Sequence, residues 1–469
     1  MDKNSLSEFK KFEKNNNVFD LKVDQIPIWE RMRKGIFDEI RFESTTRNQN
    51  TSGGSIKDIK RIYMMIRNIF LKNPYLSKNY EILVYGTGRR QLESNNKWWD
   101  IYFDPLYESG LNNYIHLEPP QNASHYSPIQ TDLLKYNDLI IYLSYVLMKL
   151  GLKKPSISDD VQEELVAIEK RLNHKFNVKI DLCAIVHREL HLRKIRYGFY
   201  KRLMNRIEPE ILLIECSYGK ETLIEVSKSL DIPVIELQHG TIHNHNLGYS
   251  YENSSKEMFP DYLFVWGEFW KRWADIPLPD ERIIPTGYPY FDQKKRKLES
   301  GDSREKIIFI SQETIGIELS KLALSMEKDT DIEHDIIYKL HPKEYSGWMS
   351  KYPELLESDI DVVGDSGSSI YELFSKSDIQ VGVYSTALFE GIAFDLETYI
   401  YKISGWKRVE RLVNEGPAQG ISSLEELLTL IDQPGNGDNI GDIFKENAID
   451  NTIEEINKVK NEGTTYRPA

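Results

Sequence analysis

From residue 209 onward the sequence is a train of short, uninterrupted apolar runs, and that pattern leaves few folds open. The runs are ILLIEC (211–216), VIEL (234–237), YLFVW (262–266), KIIFIS (306–311), DIIYKL (335–340), IDVVG (360–364), IQVGVY (379–384) and TYIYKI (398–403). Each has the length of a strand, and most are separated by roughly 10–20 residues that can form a helix. Continuous rather than alternating apolar runs mark strands buried on both faces, and their alternation with helices marks right-handed βαβ units. The expected fold class is α/β, with two Rossmann-like doubly wound domains facing each other. Ligands are then expected in the cleft at the carboxyl ends of the strands.

The rest of the chain divides around this train. Residues 1–55 are polar, end in STTRNQNTSGGS (44–55) and read as an N-terminal helical extension with a linker. Residues 56–293 form the first Rossmann-like domain, with a helix over 59–71, a strand at EILVYG (81–86), and helices over 139–150 and 160–172. The charged stretch KKRKLESGDSREK (294–306) is the expected linker, 307–435 the second Rossmann-like domain, and 436–469 a C-terminal helical segment.

Composition narrows the partners. Lys and Arg number 60 against 73 Asp and Glu in 469 residues, a net charge of −13, the wrong sign for a protein that binds nucleic acid through its backbone. Cys183 and Cys216 are the only cysteines, too few for a disulfide framework or a zinc site, which fits a reducing cytoplasm. There is no signal-like N-terminus. The longest apolar stretch, 139–152, is broken by Lys149 and too short to span a bilayer. The expected location is cytoplasmic, with contact at the inner face of the cell membrane through the basic, aromatic stretch HRELHLRKIRYGFYKRLMNR (187–206). A solvated basic helix face is the plainer reading of that stretch.

Three constellations at strand ends carry candidate chemistry. ELQHGT (236–241) places His239 where an imidazole can take a proton from an acceptor hydroxyl. Gln238, Thr241 and His243 follow at the same junction as candidate acceptor contacts or supports. His239, His243 and His245 match no closed zinc spacing, and no metal is expected. KLHPKE (339–344) follows another strand: Pro342 fixes the backbone, His341 can donate to a phosphate oxygen, and Lys339 adds charge. In YSTALFEG (384–391), Ser385 or Thr386 caps a helix whose first turn suits a nucleotide phosphate, and Glu390, one turn on, is placed to accept from ribose hydroxyls. GDSGSS (364–369) reads as a second anion nest or, more simply, a capping loop. No P-loop, dinucleotide fingerprint or nucleophile elbow occurs, and Asp359-Ile360-Asp361 introduces a strand instead of ending one.

Taken in order, ELQHGT, PDYLFVWGEFW (260–270), IIPTGYP (283–289), KLHPKE and SDIQVGVYSTALFEGIAF (377–394) resemble bacterial cell-surface polysaccharide glycosyltransferases of the GT-B fold, the capsule, lipopolysaccharide and teichoic-acid type. The resemblance covers about 209–403. It implies an inverting, metal-independent transfer of a sugar from a CMP-, CDP- or UDP-linked donor to a glycan or lipid-linked glycan hydroxyl, with no cofactor beyond the donor. His341, Pro342, Ser385 and Thr386 would hold the donor, His239 would be the base, and Glu236 a reserve base. It also implies that a helix within 440–459 returns to the first domain. Gln238 stands where the teichoic-acid motif has Trp, and Val383-Tyr384-Ser385-Thr386 where it has D-Y-S-S. CDP-glycerol or polyol-phosphate transfer is thus an alternative, as is a nucleotide-sugar epimerase, which shares the T-G-x-P turn at 286–289.

Overall fold

A computed structural model describes residues 3–45, 66–93, 95–121, 124–251, 256–296, 298, 306–329, 334–365, 367–432 and 443–465. The expected helix over 59–71 and the linker at 294–306 lie largely outside the described residues. The chain forms two compact units: Met1–Val265, Ala274–Ile284 and Asp450–Ala469 make the first, and Trp266–Trp273 with Pro285–Ile449 the second.

The first unit opens with two helices, α1 (Lys3–Asn15) and α2 (Trp29–Thr45). Its sheet holds β1 (Ile82–Tyr85), β2 (Tyr114–Glu118), β3 (Leu134–Tyr136), β4 (Ile211–Ile214), β5 (Val234–Leu237), β6 (Tyr262–Val265) and β7 (Ile283–Pro285), in the order β7-β6-β5-β4-β1-β2-β3. Neighbours from β6 through to β3 are parallel. Between the strands run α3 (Asp138–Lys149), α4 (Asp159–Phe176), α5 (Leu182–Ile207) and α6 (Glu221–Lys228). Read from β3, the order 3-2-1-4-5-6 is that of the dinucleotide-binding doubly wound sheet, extended by a seventh strand, and its switch point falls between β1 and β4.

The second unit repeats that order: β8 (Lys306–Ile310), β9 (Asp335–Lys339), β10 (Asp361–Val363), β11 (Ile379–Gly382), β12 (Glu397–Tyr401) and β13 (Gln419–Ile421) lie as β10-β9-β8-β11-β12-β13, all parallel. Its switch point falls between β8 and β11. α7 (Gly316–Glu327) follows β8, and α8 (Thr386–Ile392) follows β11. The chain is thus α/β with two Rossmann-like sheets.

The apolar runs become strands because both faces are covered. Leu212, Leu213 and Ile214 of β4 and Ile307, Ile308 and Phe309 of β8 are fully buried, each side chain contributing about 1.5–3 kcal/mol by leaving water. β2 is different. It buries His116 and Glu118 completely, so YIHLE never reads as an apolar run.

The N-terminal extension is part of the first core. Phe9, Trp29, Ile36 and Phe37 pack with Leu165, Ile168 and Leu172 of α4. Glu13 is sealed beneath them and accepts hydrogen bonds from Trp29 Nε1 and Arg33 Nε, both at 2.6 Å. At the other end of the chain α9 (Ala448–Glu462) rejoins this unit, where Lys460 pairs with Glu81 at 2.6 Å and the Tyr262 hydroxyl donates to the Gly463 carbonyl at 3.1 Å. In the second unit Gly287 (φ +94°) gives the segment before α9 room to pass, since a β-carbon there would run into the Lys445 carbonyl and Ala448.

Candidate functional site

Both sheets gather their polar side chains at the carboxyl ends of the strands, beside the switch points. In the first unit β5 carries Glu236 inside the sheet, and His239 follows two residues after its end. Burial pushes the Glu236 carboxyl up, opposed by the hydroxyls of Tyr249 and Ser217 and the charges of Lys220 and Lys256. The Tyr249 hydroxyl donates to Glu236 and lies 3.0 Å from His239 Nδ1. On the other side of the ring the Tyr218 hydroxyl lies 2.9 Å from Nε2. Because Tyr249 spends its proton on Glu236, His239 donates from Nδ1 and accepts from Tyr218 at Nε2. The backbone is clamped as well: the His239 carbonyl accepts from Tyr102 at 2.8 Å and from Arg89 at 3.4 Å. Burial, with Arg89 and Lys220 adding to it, lowers the imidazole to about 3, so it is neutral near pH 7.

The neighbouring residues differ in what they do. Gln238 is buried and donates to the Gly240 carbonyl at 2.9 Å, shaping the turn. His243 Nδ1 accepts from the His245 backbone N–H at 3.1 Å. Thr241 is half-buried beside them. Among the described residues no group of three His, Cys, Asp or Glu is placed to hold a metal ion.

Next to this site lies a buried charge network that sequence reasoning missed. Arg90 pairs with Glu118 at 2.8 Å, and His125 bridges Glu118 at 3.0 Å and Asp138 at 2.7 Å while stacked 3.6 Å from Tyr136. Burial works against a charge on His125, but the hydrogen bonds to Asp138 and Glu118 prevail and raise its pKa. Asp100 is driven by burial up to about 8. Glu215, at the end of β4, is buried with neither carboxylate oxygen hydrogen-bonded and Lys220 Nζ 4.0 Å away.

In the second unit His341 and Ser385 follow β9 and β11, the two strands on either side of β8. Ser385 caps α8, its Oγ accepting from Ala387 N–H at 3.3 Å, and Thr386 begins the helix. His341 caps the turn Pro342–Glu344: its Nδ1 accepts from Lys343 N–H at 3.2 Å and its own N–H donates to Glu344 at 3.0 Å. With Nδ1 used as an acceptor, the neutral ring carries its proton on Nε2, and burial favours that neutral form. Lys339 is buried and donates to the Gly364 carbonyl at 2.8 Å, and burial lowers its pKa. Glu390 does not take the ribose-facing position that its sequence spacing predicts: it is buried on the inner side of α8, raised by burial to about 7 and hydrogen-bonded by Tyr371. Ser369 caps the helix Ile370–Phe374 in a reciprocal box with Glu372, the plainer of the two readings of 364–369.

Thr314 after β8 and Tyr384 after β11 meet across the switch point through a hydroxyl–hydroxyl hydrogen bond. The Arg408 guanidinium lies 4.3 Å from the centre of the Tyr384 ring and has no carboxylate partner among the described residues. Neither Thr314 nor Arg408 stands in a motif. Strand order brings them to Tyr384, the residue before Ser385.

No protein-family model and no curated relative matches the chain. Solved structures with similar architecture include UDP-GlcNAc 2-epimerase from Methanocaldococcus jannaschii, 12% identical over 80% of this chain and 98% of that one, with a TM-score of 0.47. UDP-GlcNAc 2-epimerase from Neisseria meningitidis bound to UDP-GlcNAc is 16% identical over 80% and 99%, with a TM-score of 0.45. The wall teichoic acid polymerase TagF is 12% identical over 88% and 100%, with a TM-score of 0.44.

Proposed function

We propose that the protein is an inverting, metal-independent glycosyltransferase that moves a sugar from a nucleotide-activated donor to a hydroxyl of a cell-surface glycan. The observation that carries the reading is the placement of His239: Tyr249 holds its Nδ1 side at 3.0 Å, and its Nε2 lies 2.9 Å from a hydroxyl, which Tyr218 supplies in this structure. An acceptor hydroxyl in place of the Tyr218 hydroxyl would give its proton to Nε2. The sugar's anomeric carbon would then take the oxygen and release the nucleotide, inverting that centre. Glu236, joined to the ring through Tyr249, balances the imidazolium as it forms.

The second unit supplies a fitting donor subsite. His341 Nε2–H, the Ser385–Thr386 turn and the Arg408 guanidinium are donors suited to phosphate oxygens, and charge on the departing nucleotide strengthens those bonds. Glycerol- or polyol-phosphate transfer would use the same groups. An epimerase would turn over its nucleotide sugar with no acceptor, and the acidic groups Asp100, Glu118 and Glu215 at the first sheet's carboxyl edge keep that reading in play.

The test is nucleotide release from CMP-, CDP- and UDP-sugars with and without glycan acceptors, in the presence of a chelator. The reading predicts acceptor-dependent release that the chelator leaves intact and that His239→Asn lowers on the order of 10²–10⁴-fold. Turnover without acceptor would favour the epimerase.

A further inference from the structure

The first unit leaves an apolar helix uncovered. α3 reads DLIIYLSYVLMK, apolar around nearly its whole circumference, a composition that belongs to a buried helix. Yet among its residues only Asp138, Ile140 and Ser144 are buried. Tyr145, Val146 and Leu150 are 42%, 51% and 67% exposed, and Leu152, just past the helix end, is 50% exposed.

Around this apolar ridge stands a collar of positive charge. α5 lies against α3, with Arg196 Nε donating to Ser144 Oγ at 3.1 Å and its guanidinium 5.3 Å from the Tyr145 ring centre. Lys194 Nζ donates to the Lys154 carbonyl at 3.4 Å, and His191 is hydrogen-bonded to the Leu152 carbonyl at 2.6 Å. Lys149 and Lys153 are exposed on the ridge itself. No Asp or Glu occurs in 139–158 or 190–207, in a chain whose net charge is −13; Glu189, just before the second span and half-buried, is close enough to Arg196 to feel its charge.

We infer that this face docks on an anionic lipid surface, α3 lying in the plane of the interface with its outer side chains among the acyl chains and the lysines and Arg196 at the headgroups. The charge pattern selects that occupant: an apolar ridge flanked by Lys149, Lys153, Lys194 and Arg196 matches a negatively charged bilayer. α3 has 12 residues, too few to cross. The division of labour differs from the sequence expectation. The apolar side chains of α5, among them Leu190, Ile195, Leu203 and Ile207, are buried inside the unit, so 187–206 contributes charge while α3 contributes the inserted surface. This inference does not depend on the sugar-transfer reading.

The experiment is co-sedimentation of the full chain with phosphatidylcholine vesicles, with and without phosphatidylglycerol, at low and high salt. Binding is expected only with phosphatidylglycerol, and weaker at high salt. Lys149→Gln and Lys153→Gln should each cost about fivefold, and Val146→Ser with Leu150→Ser about tenfold or more. All four positions are exposed, so an unchanged melting temperature shows that the fold is intact. Failure to bind either vesicle, equal binding to both, or binding that these variants leave unchanged overturns the inference. So does a dimer in light scattering that Leu150→Ser separates, because a second copy would then be what covers the ridge.

Discussion

The Tyr249 hydroxyl holds His239 by its Nδ1 side at 3.0 Å, and its own proton goes to the buried Glu236 carboxylate. That relationship decides which ring nitrogen faces a substrate. Tyr249→Phe removes both bonds and takes one hydroxyl donor from the buried Glu236. We expect His239 to lose its tautomer preference, read as a change in its ¹⁵N ring shifts, and turnover to fall on the order of a hundredfold. A ring spectrum identical to that of the wild type would refute the assignment.

Arg89 and Lys220 add to burial in holding the imidazole at about 3. Arg89→Gln removes one positive charge beside the ring, so the proton is bound more readily and the pKa moves up toward 6.5. An NMR titration of His239 measures the shift, and a further fall would contradict the electrostatics.

Asp100 gives a pH dependence of stability. An unfolded Asp ionises near 4, whereas the buried Asp100 holds its proton up to about 8. Between those values the folded state binds the extra proton, so stability is highest below the unfolded pKa and falls as pH rises, by on the order of 1 kcal/mol per pH unit. Asp104, raised by burial to about 6, and Glu390, raised to about 7, act in the same direction. Glu118 acts oppositely: burial would raise it, but His125 and Arg90 hold it at about 2, so its contribution is lost in acid. Asp100→Asn should flatten the fall in melting temperature between pH 6 and about 8. A slope unchanged from the wild type would show that Asp100 is ionised in the native protein.

Gly287→Ala tests the turn that admits the chain before α9. The φ of +94° and the contacts with Lys445 and Ala448 make the substitution cost about 2 kcal/mol or more, seen as a lower denaturant midpoint. An unchanged midpoint would mean that the turn relaxes freely.

The two sheets were legible in the sequence because eight of their strands are continuous apolar runs, from ILLIEC to TYIYKI. β2 and β3 were not, since they carry the buried polar groups His116 and Glu118 and the half-exposed Lys135 and Tyr136. His239, His341 and Ser385 were legible because each closely follows a recognisable strand. Tyr218 and Tyr249, which set the state of His239, were hidden among 27 tyrosines. Thr314 and Arg408 reach Tyr384, next to Ser385, only through strand order, with β8 beside β11 and β11 beside β12. Local pattern records what a residue is next to in the chain, and these residues function through what the sheet puts next to them.

The most direct measurement is a thermal-shift screen of the full chain with CMP, CDP, UDP, GDP and their sugar conjugates. The account predicts that one nucleotide stabilises the protein, by about 2.7 kcal/mol at a hundredfold excess over Kd. His341→Ala, Ser385→Ala and Arg408→Gln should each abolish or sharply reduce the shift, while His239→Asn, in the first unit, leaves it intact. A screen in which no nucleotide moves the melting temperature, or in which His239→Asn alone removes the shift, would contradict it.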